Sequence, residues 1–140
     1  MQASGGAKVL RFGLVSLILL TAGCTRRIRF DSLPVARGGE ATVRVEVTFD
    51  RNNTLLVELS NVPDPSALNS AYTRYVLWVA TPDRRSVVNA GQIRVNESRS
   101  AQMQTLTPLR EFVLFITAET RGDVTLPGPD VVFQTEEIRW

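Results

Sequence analysis

Few side chains of this chain are equipped for covalent or acid–base chemistry. Its one cysteine, Cys24, closes the oily stretch "LILLTAGC". There is no histidine, so the usual general base and the commonest nitrogen ligand for transition metals are missing. A single cysteine forms neither an intramolecular disulfide nor a cysteine-based zinc site. Lys8 is the only lysine, which leaves no amine after Cys24 for Schiff-base or lysine-base chemistry. Carboxylates, hydroxyls and arginines remain. Asp130 with Glu136 and Glu137 comes nearest to a carboxylate pair or a calcium site. Successive strand residues point to opposite faces, however, so Glu136 and Glu137 cannot serve one site in a regular strand. No Gly-x-Ser-x-Gly, phosphate-binding loop or dinucleotide fingerprint occurs. The expectation is a non-enzymatic protein with no cofactor and no metal.

Cys24 takes its meaning from what precedes it. Residues 1–11 are small and polar and include Lys8 and Arg11. Phe12 to Leu20 is an apolar run of nine, followed by the small Thr21, Ala22 and Gly23. These are the basic, apolar and small-residue parts of an export signal. A membrane span needs about 20 apolar residues. Phe12 to Cys24 provides 13, and Arg26, Arg27 and Arg29 prevent extension. An uncleaved anchor and plain secretion with an incidental cysteine are the competing readings.

"LTAGC" resembles the lipobox of bacterial lipoproteins, with Thr21 where leucine is usual. The resemblance implies cleavage after Gly23, diacylglycerol on the Cys24 thiol and a mature chain of 117 residues. Thr25 at the next position implies compatibility with outer-membrane sorting in a diderm cell. Each buried methylene contributes about 0.8 kcal/mol, so two or three acyl chains hold firmly. Arg26, Arg27 and Arg29 are then expected among the headgroups. The expected location is the bacterial cell envelope, lipid-anchored, facing the periplasm or the exterior.

The high isoelectric point does not describe the mature chain. From Cys24 onward 14 arginines face 14 acidic residues. Nucleic acid is therefore not an expected partner, since phosphate affinity needs a net basic surface.

After the anchor, 24–39 reads as a lipidated linker, with Pro34 and Gly38-Gly39 as breakers. Residues 40–140 read as one β domain. In "ATVRVEVTF" Val43, Val45, Val47 and Phe49 alternate with polar residues, the pattern of a half-buried strand. "DRNN" supplies a turn, and "TLLVELS" the second arm of a hairpin. Residues 61–70 make a longer crossing with room for one helical turn. "RYVLWVA" is apolar on both faces and so belongs at the centre of a sheet, with Trp78 in the core. "VVNAGQIRV" is a strand bent at Gly91. "SAQMQTL", "EFVLFITAE" and "VVFQTEEIRW" complete a set of about seven. Such a series predicts an immunoglobulin-like antiparallel β-sandwich.

Residues 75–133 resemble the extracytoplasmic carboxy-terminal domain of anti-sigma-K-type regulators. The resemblance rests on Tyr75, Leu77, Trp78, Ala90, Gly91, Thr117, Glu119, Gly122, Pro127, Gly128 and Pro129. It implies the fold and an envelope location. The cytoplasmic helical module that binds the sigma factor in that family has no counterpart in these 140 residues, so sigma-factor binding is not implied. An envelope signalling component related to those sensor domains is the alternative to a binding or structural module.

Recognition on a sandwich falls to end loops and sheet edges. The loops are 61–73, 81–86 and 121–130, and Arg84, Arg85 and Arg121 are the candidate contacts for a protein partner in the envelope. "RGD" at Arg121–Asp123 matches an integrin-binding tripeptide, but three residues recur by chance. Two glycosylation sequons, at Asn52 and Asn96, carry no weight in a bacterial protein.

Overall fold

A computed structural model describes residues 24–140. The segment 1–23, read above as an export signal with cleavage after Gly23, lies outside the described residues. Ten strand segments follow one another: β1 (Thr25–Arg29), β2 (Asp31–Ser32), β3 (Glu40–Val47), β4 (Asn53–Ser60), β5 (Arg74–Ala80), β6 (Val87–Ile93), β7 (Ala101–Thr107), β8 (Glu111–Glu119), β9 (Val131–Gln134) and β10 (Ile138–Arg139). Single 3-10 turns at Pro34–Ala36 and Pro65–Ala67 are the helical content of the described residues.

The strands form two antiparallel sheets, as the alternating pattern predicts. One has the order β1-β3-β4-β7; the other has β2-β9-β8-β5-β6, with β10 also on β8. All seven expected strands are present. In the first sheet Ala41, Val43 and Val45 of β3 register against Leu59, Val57 and Leu55 of β4. These residues enter a single core with Tyr75, Leu77 and Val79 of β5 and Phe112, Leu114, Ile116 and Ala118 of β8. The architecture is a β-sandwich with the connectivity expected of the immunoglobulin order, in which the first two strands share a sheet and the third crosses: β3 and β4 stay together as a hairpin and β5 enters the facing sheet.

The segment read as a linker is part of the sandwich. β1 pairs along β3 from Thr25↔Glu46 to Arg29↔Thr42, and β2 pairs with β9 in the other sheet. Phe30, at the switch between sheets, is buried, and its N–H donates to the Ala41 carbonyl at 2.9 Å. Only Ile28 and Phe30 mark this strand in sequence, because an edge strand presents little more than alternate residues to the core. Arginine on the other positions disguises it as a solvated lead-in.

The last strand is interrupted rather than continuous. Between β9 and β10, the Thr135 N–H donates to the Leu114 carbonyl (2.8 Å) and its hydroxyl accepts from the Leu114 N–H (3.0 Å). One side chain thus replaces a ladder carbonyl while Glu136 and Glu137 bow into solvent.

β5 and β8 are apolar on both faces because both faces are covered. Trp78 is fully buried, as expected, but not between the sheets. With Val76, Ala80, Val113 and Phe115 it forms a second core on the outer face of its sheet, roofed by Val87, Val124 and Val131. Val124 is the contribution of the 120–130 loop to this roof, and Val87 and Val131 come from β6 and β9.

Candidate functional site

Cys24 is exposed, its thiol is free, and it stands one residue before β1. The strand registers divide the sandwich into two ends. At the Cys24 end lie the β3–β4 hairpin (48–52), the β5–β6 hairpin (81–86) and the β7–β8 connection (108–110). At the opposite end lie 33–39, 61–73 and 94–100, and the 120–130 loop starts and finishes there.

The three candidate arginines are not brought together. Arg84 folds back from its hairpin so that its guanidinium lies 5.0 Å from the centroid of the Phe115 ring. It also donates to Gln134 Oε1 at 3.4 Å. Phe115 in turn stacks on Trp78, with centroids 6.2 Å apart. Arg84 therefore caps the outer core, a cation over an aromatic face. Arg85 pairs with Asp83 at 3.3 Å, with both side chains largely in water. Arg121 belongs to the other end. Its guanidinium donates twice to Asp123, at 2.9 and 2.6 Å, and holds that carboxyl below the usual carboxylate range. The two charged ends of "RGD" are thus tied to each other.

The carboxylates singled out in sequence are equally dispersed. Glu137 accepts twice from Arg139, at 2.8 and 3.0 Å. Asp130, at the far end of β9, accepts from the Tyr72 hydroxyl. Among the described residues no group of three His, Cys, Asp or Glu side chains is arranged to hold a metal ion. No helix of the described residues is long and apolar enough to cross a membrane.

A chain of buried polar contacts that periodicity does not reveal runs under the 120–130 loop. Trp78 Nε1 donates to Thr117 Oγ1 (2.8 Å), whose hydroxyl donates to Glu119 Oε1 (2.6 Å). The Gly128 N–H donates to the same oxygen at 2.7 Å. Glu119 is 6% exposed, so these donors replace its water. A Cβ on Gly128 would stand 2.9 Å from Glu119 Oε2, which explains glycine at that position. Asn89 holds the descending arm of the loop, donating to the carbonyls of Gly122 (3.0 Å) and Val124 (2.8 Å). Trp78, Thr117, Glu119, Gly122 and Gly128, all named in the resemblance, are the parts that pin this loop. Their arrangement is that of a scaffold; the one sequence signal was a polar pair, Thr117 and Glu119, in an otherwise apolar strand.

Sequence reading also placed Val47 and Phe49 on a buried face. The strand ends at Val47. The Thr48 N–H and hydroxyl both donate to the Asn52 carbonyl, at 2.9 and 2.8 Å. The turn therefore starts two residues before "DRNN", and Phe49 is carried into solvent with no neighbour covering it. Asn53, buried, then ties this hairpin to the β7–β8 connection through the Leu109 carbonyl (2.7 Å).

Two depressions are noteworthy. An open one of about 580 Å³ lies between Arg74, Gln92 and the Thr120–Asp123 turn. A narrower one of about 300 Å³ separates the edge strands β6 and β7, lined by Val88, Ala90, Thr105, Leu106 and Leu109. The first holds no cluster of chemistry-bearing groups, since its Arg121 and Asp123 satisfy each other.

Fold and surface together define a small all-β sandwich with an exposed thiol one residue before its first strand. Comparison of the chain with protein-family models, with curated proteins and with solved structures finds no match in any of the three.

Proposed function

We propose that this chain is a membrane-anchored, non-enzymatic lipoprotein of the bacterial cell envelope, acylated on Cys24, whose sandwich serves a protein partner as a binding or structural module. The observation that carries the reading is the setting of Cys24: the sole cysteine, exposed and free, directly after "LTAG" and directly before the first strand. A catalytic thiol is paired with a general base, and the chain has no histidine to pair with Cys24. Acylation needs only access. The module faces the periplasm or the cell exterior, with the outer membrane as its seat in a diderm cell. Nucleic acid is not a partner in this reading.

The test is Cys24→Ser expressed as the full chain. The expected outcome is accumulation of unprocessed protein and loss of the acyl mass from the amino-terminal peptide. Normal processing and unchanged membrane fractionation of the variant would sink the anchor. A second reading, an envelope signalling component, draws on the resemblance residues that form the 120–130 loop, Gly122, Pro127, Gly128 and Pro129, and those that pin it, Trp78, Thr117 and Glu119. Deletion of the gene without change in any sigma-factor regulon would remove it.

A further inference from the structure

We infer that the Cys24 end of the sandwich is itself a lipid-contacting surface, which seats the domain on an anionic bilayer with the β3–β4 hairpin dipped into it. This takes the anchor at Cys24 as its premise and adds a second, non-covalent contact.

Three observations carry it. The first is where the exposed apolar residues fall. Of the five large hydrophobic side chains left in solvent among the described residues, Val47, Phe49, Val88 and Leu106 all lie at this end. The fifth, Leu126, is on the 120–130 loop. The register Val47↔Asn53↔Thr107 runs straight across three strands of this end, and the groove between β6 and β7 extends its apolar surface through Leu109. Scattered single exposures are normal on any protein; four gathered at one end are not.

The second is tether length. Thr25 is already paired with Glu46, so Cys24 has one residue of slack, at most about 3.6 Å. Neighbouring strands lie about 4.8 Å apart. With acyl chains in the bilayer, the end of β3 and the hairpin after it have no room to stand clear of the headgroups. β1 itself rises away from this end at about 3.4 Å per residue. Arg29, four residues on, then leaves the headgroup layer, contrary to the sequence expectation, and Arg27 turns to Glu58 at 3.5 Å.

The third is charge. Arg26, Arg51 and Arg110 are exposed at this end and none of them is in an ion pair among the described residues, although the exposed Glu46, Asp50 and Glu111 lie at the same end. Anionic headgroups satisfy them, each at about 1 kcal/mol. The one-residue tether already sets this end against the bilayer that holds the acyl chains. The lipid surface therefore fits better than self-association.

The full chain, purified from membranes of the expressing cell, tests this with Phe49→Trp and Leu126→Trp in vesicles of phosphatidylcholine and phosphatidylglycerol. Some of the lipid carries bromine on its acyl chains. Both positions are exposed, so neither variant threatens the fold. The expected result is emission from the tryptophan at 49 that is blue-shifted and quenched several-fold more than that at 126, weakening when phosphatidylglycerol is left out. Equal or absent quenching at the two positions overturns the inference. So does a blue shift without quenching, which would mean that protein covers the hairpin. The mass of the Cys24 peptide reports the anchor separately. An acylated chain without quenching sinks the lipid-contacting end alone, and quenching with an unmodified Cys24 sinks the anchor alone.

Discussion

At the scale of single residues, the buried polar groups of β5 and β8 hold a loop. Thr117 is the hinge of the buried chain, donor to Glu119 and acceptor from Trp78. Thr117→Val keeps the shape and strips both bonds, leaving the indole N–H orphaned. A loss of about 1–3 kcal/mol is expected in chemical denaturation. Arg84 is the opposite case, since its cation sits over Phe115 at the surface. Arg84→Ala should cost only about 0.5–1 kcal/mol by the same assay. Several turns hold arginine in the left-handed region, including Arg51 at φ 66°. Left-handed backbone costs a non-glycine residue about 1–2 kcal/mol, partly offset by the chain entropy of glycine. Arg51→Gly is expected to stabilise the fold by a few tenths to about 1 kcal/mol.

At the scale of elements, the amino-terminal strand is the point at which sequence and structure part. A free linker would tolerate Phe30→Ala without effect. In the sandwich, Phe30 is 2% exposed among core residues, and its truncation should cost about 3–5 kcal/mol. Denaturation of the purified variant decides between the two. The β5–β6 hairpin carries a comparable dependence on Gly91, whose φ of 134° sits at the register shift opposite Leu77 and Trp78. The bend was legible in "NAGQ"; the bulge that requires it was not, because register is a property of two strands together.

At the scale of the whole molecule, composition and fold combine to make alkaline stability a tyrosine property. The chain has no histidine, and its single lysine precedes Cys24. Tyr75 is buried, its hydroxyl donates to the Pro63 carbonyl at 2.9 Å, and burial pushes its pKa up from 10.0 to about 12. The folded form keeps the proton that the unfolded chain releases near pH 10. Its contribution is thus complete below pH 10 and lost as pH rises through about 12. Unfolding free energy measured across this window should fall for the native chain. It should fall less for Tyr75→Phe, which begins lower for want of the hydrogen bond. An unchanged slope in that variant would assign the loss elsewhere.

What the sequence determined by itself is the part that rests on local pattern. Period-two alternation in β3 and β4 and the doubly apolar runs of β5 and β8 carry the positions of those strands and the all-β class, because side-chain direction along a strand follows from covalent geometry alone. The exceptional position of Cys24, between an oily run and a cluster of arginines, is equally a matter of reading along the chain. Tertiary structure decided everything that needs two distant segments to meet. It recruited residues 25–32 as edge strands of the two sheets, made a second core of Trp78 under 120–130, and turned Arg84 onto Phe115 and Arg121 onto Asp123 at the surface. It also gathered Val47, Phe49, Val88 and Leu106 at the end where Cys24 stands. Those four lie up to 59 positions apart in the chain. No local pattern can show that they share a surface, because only strand pairing and sheet stacking bring them to one end.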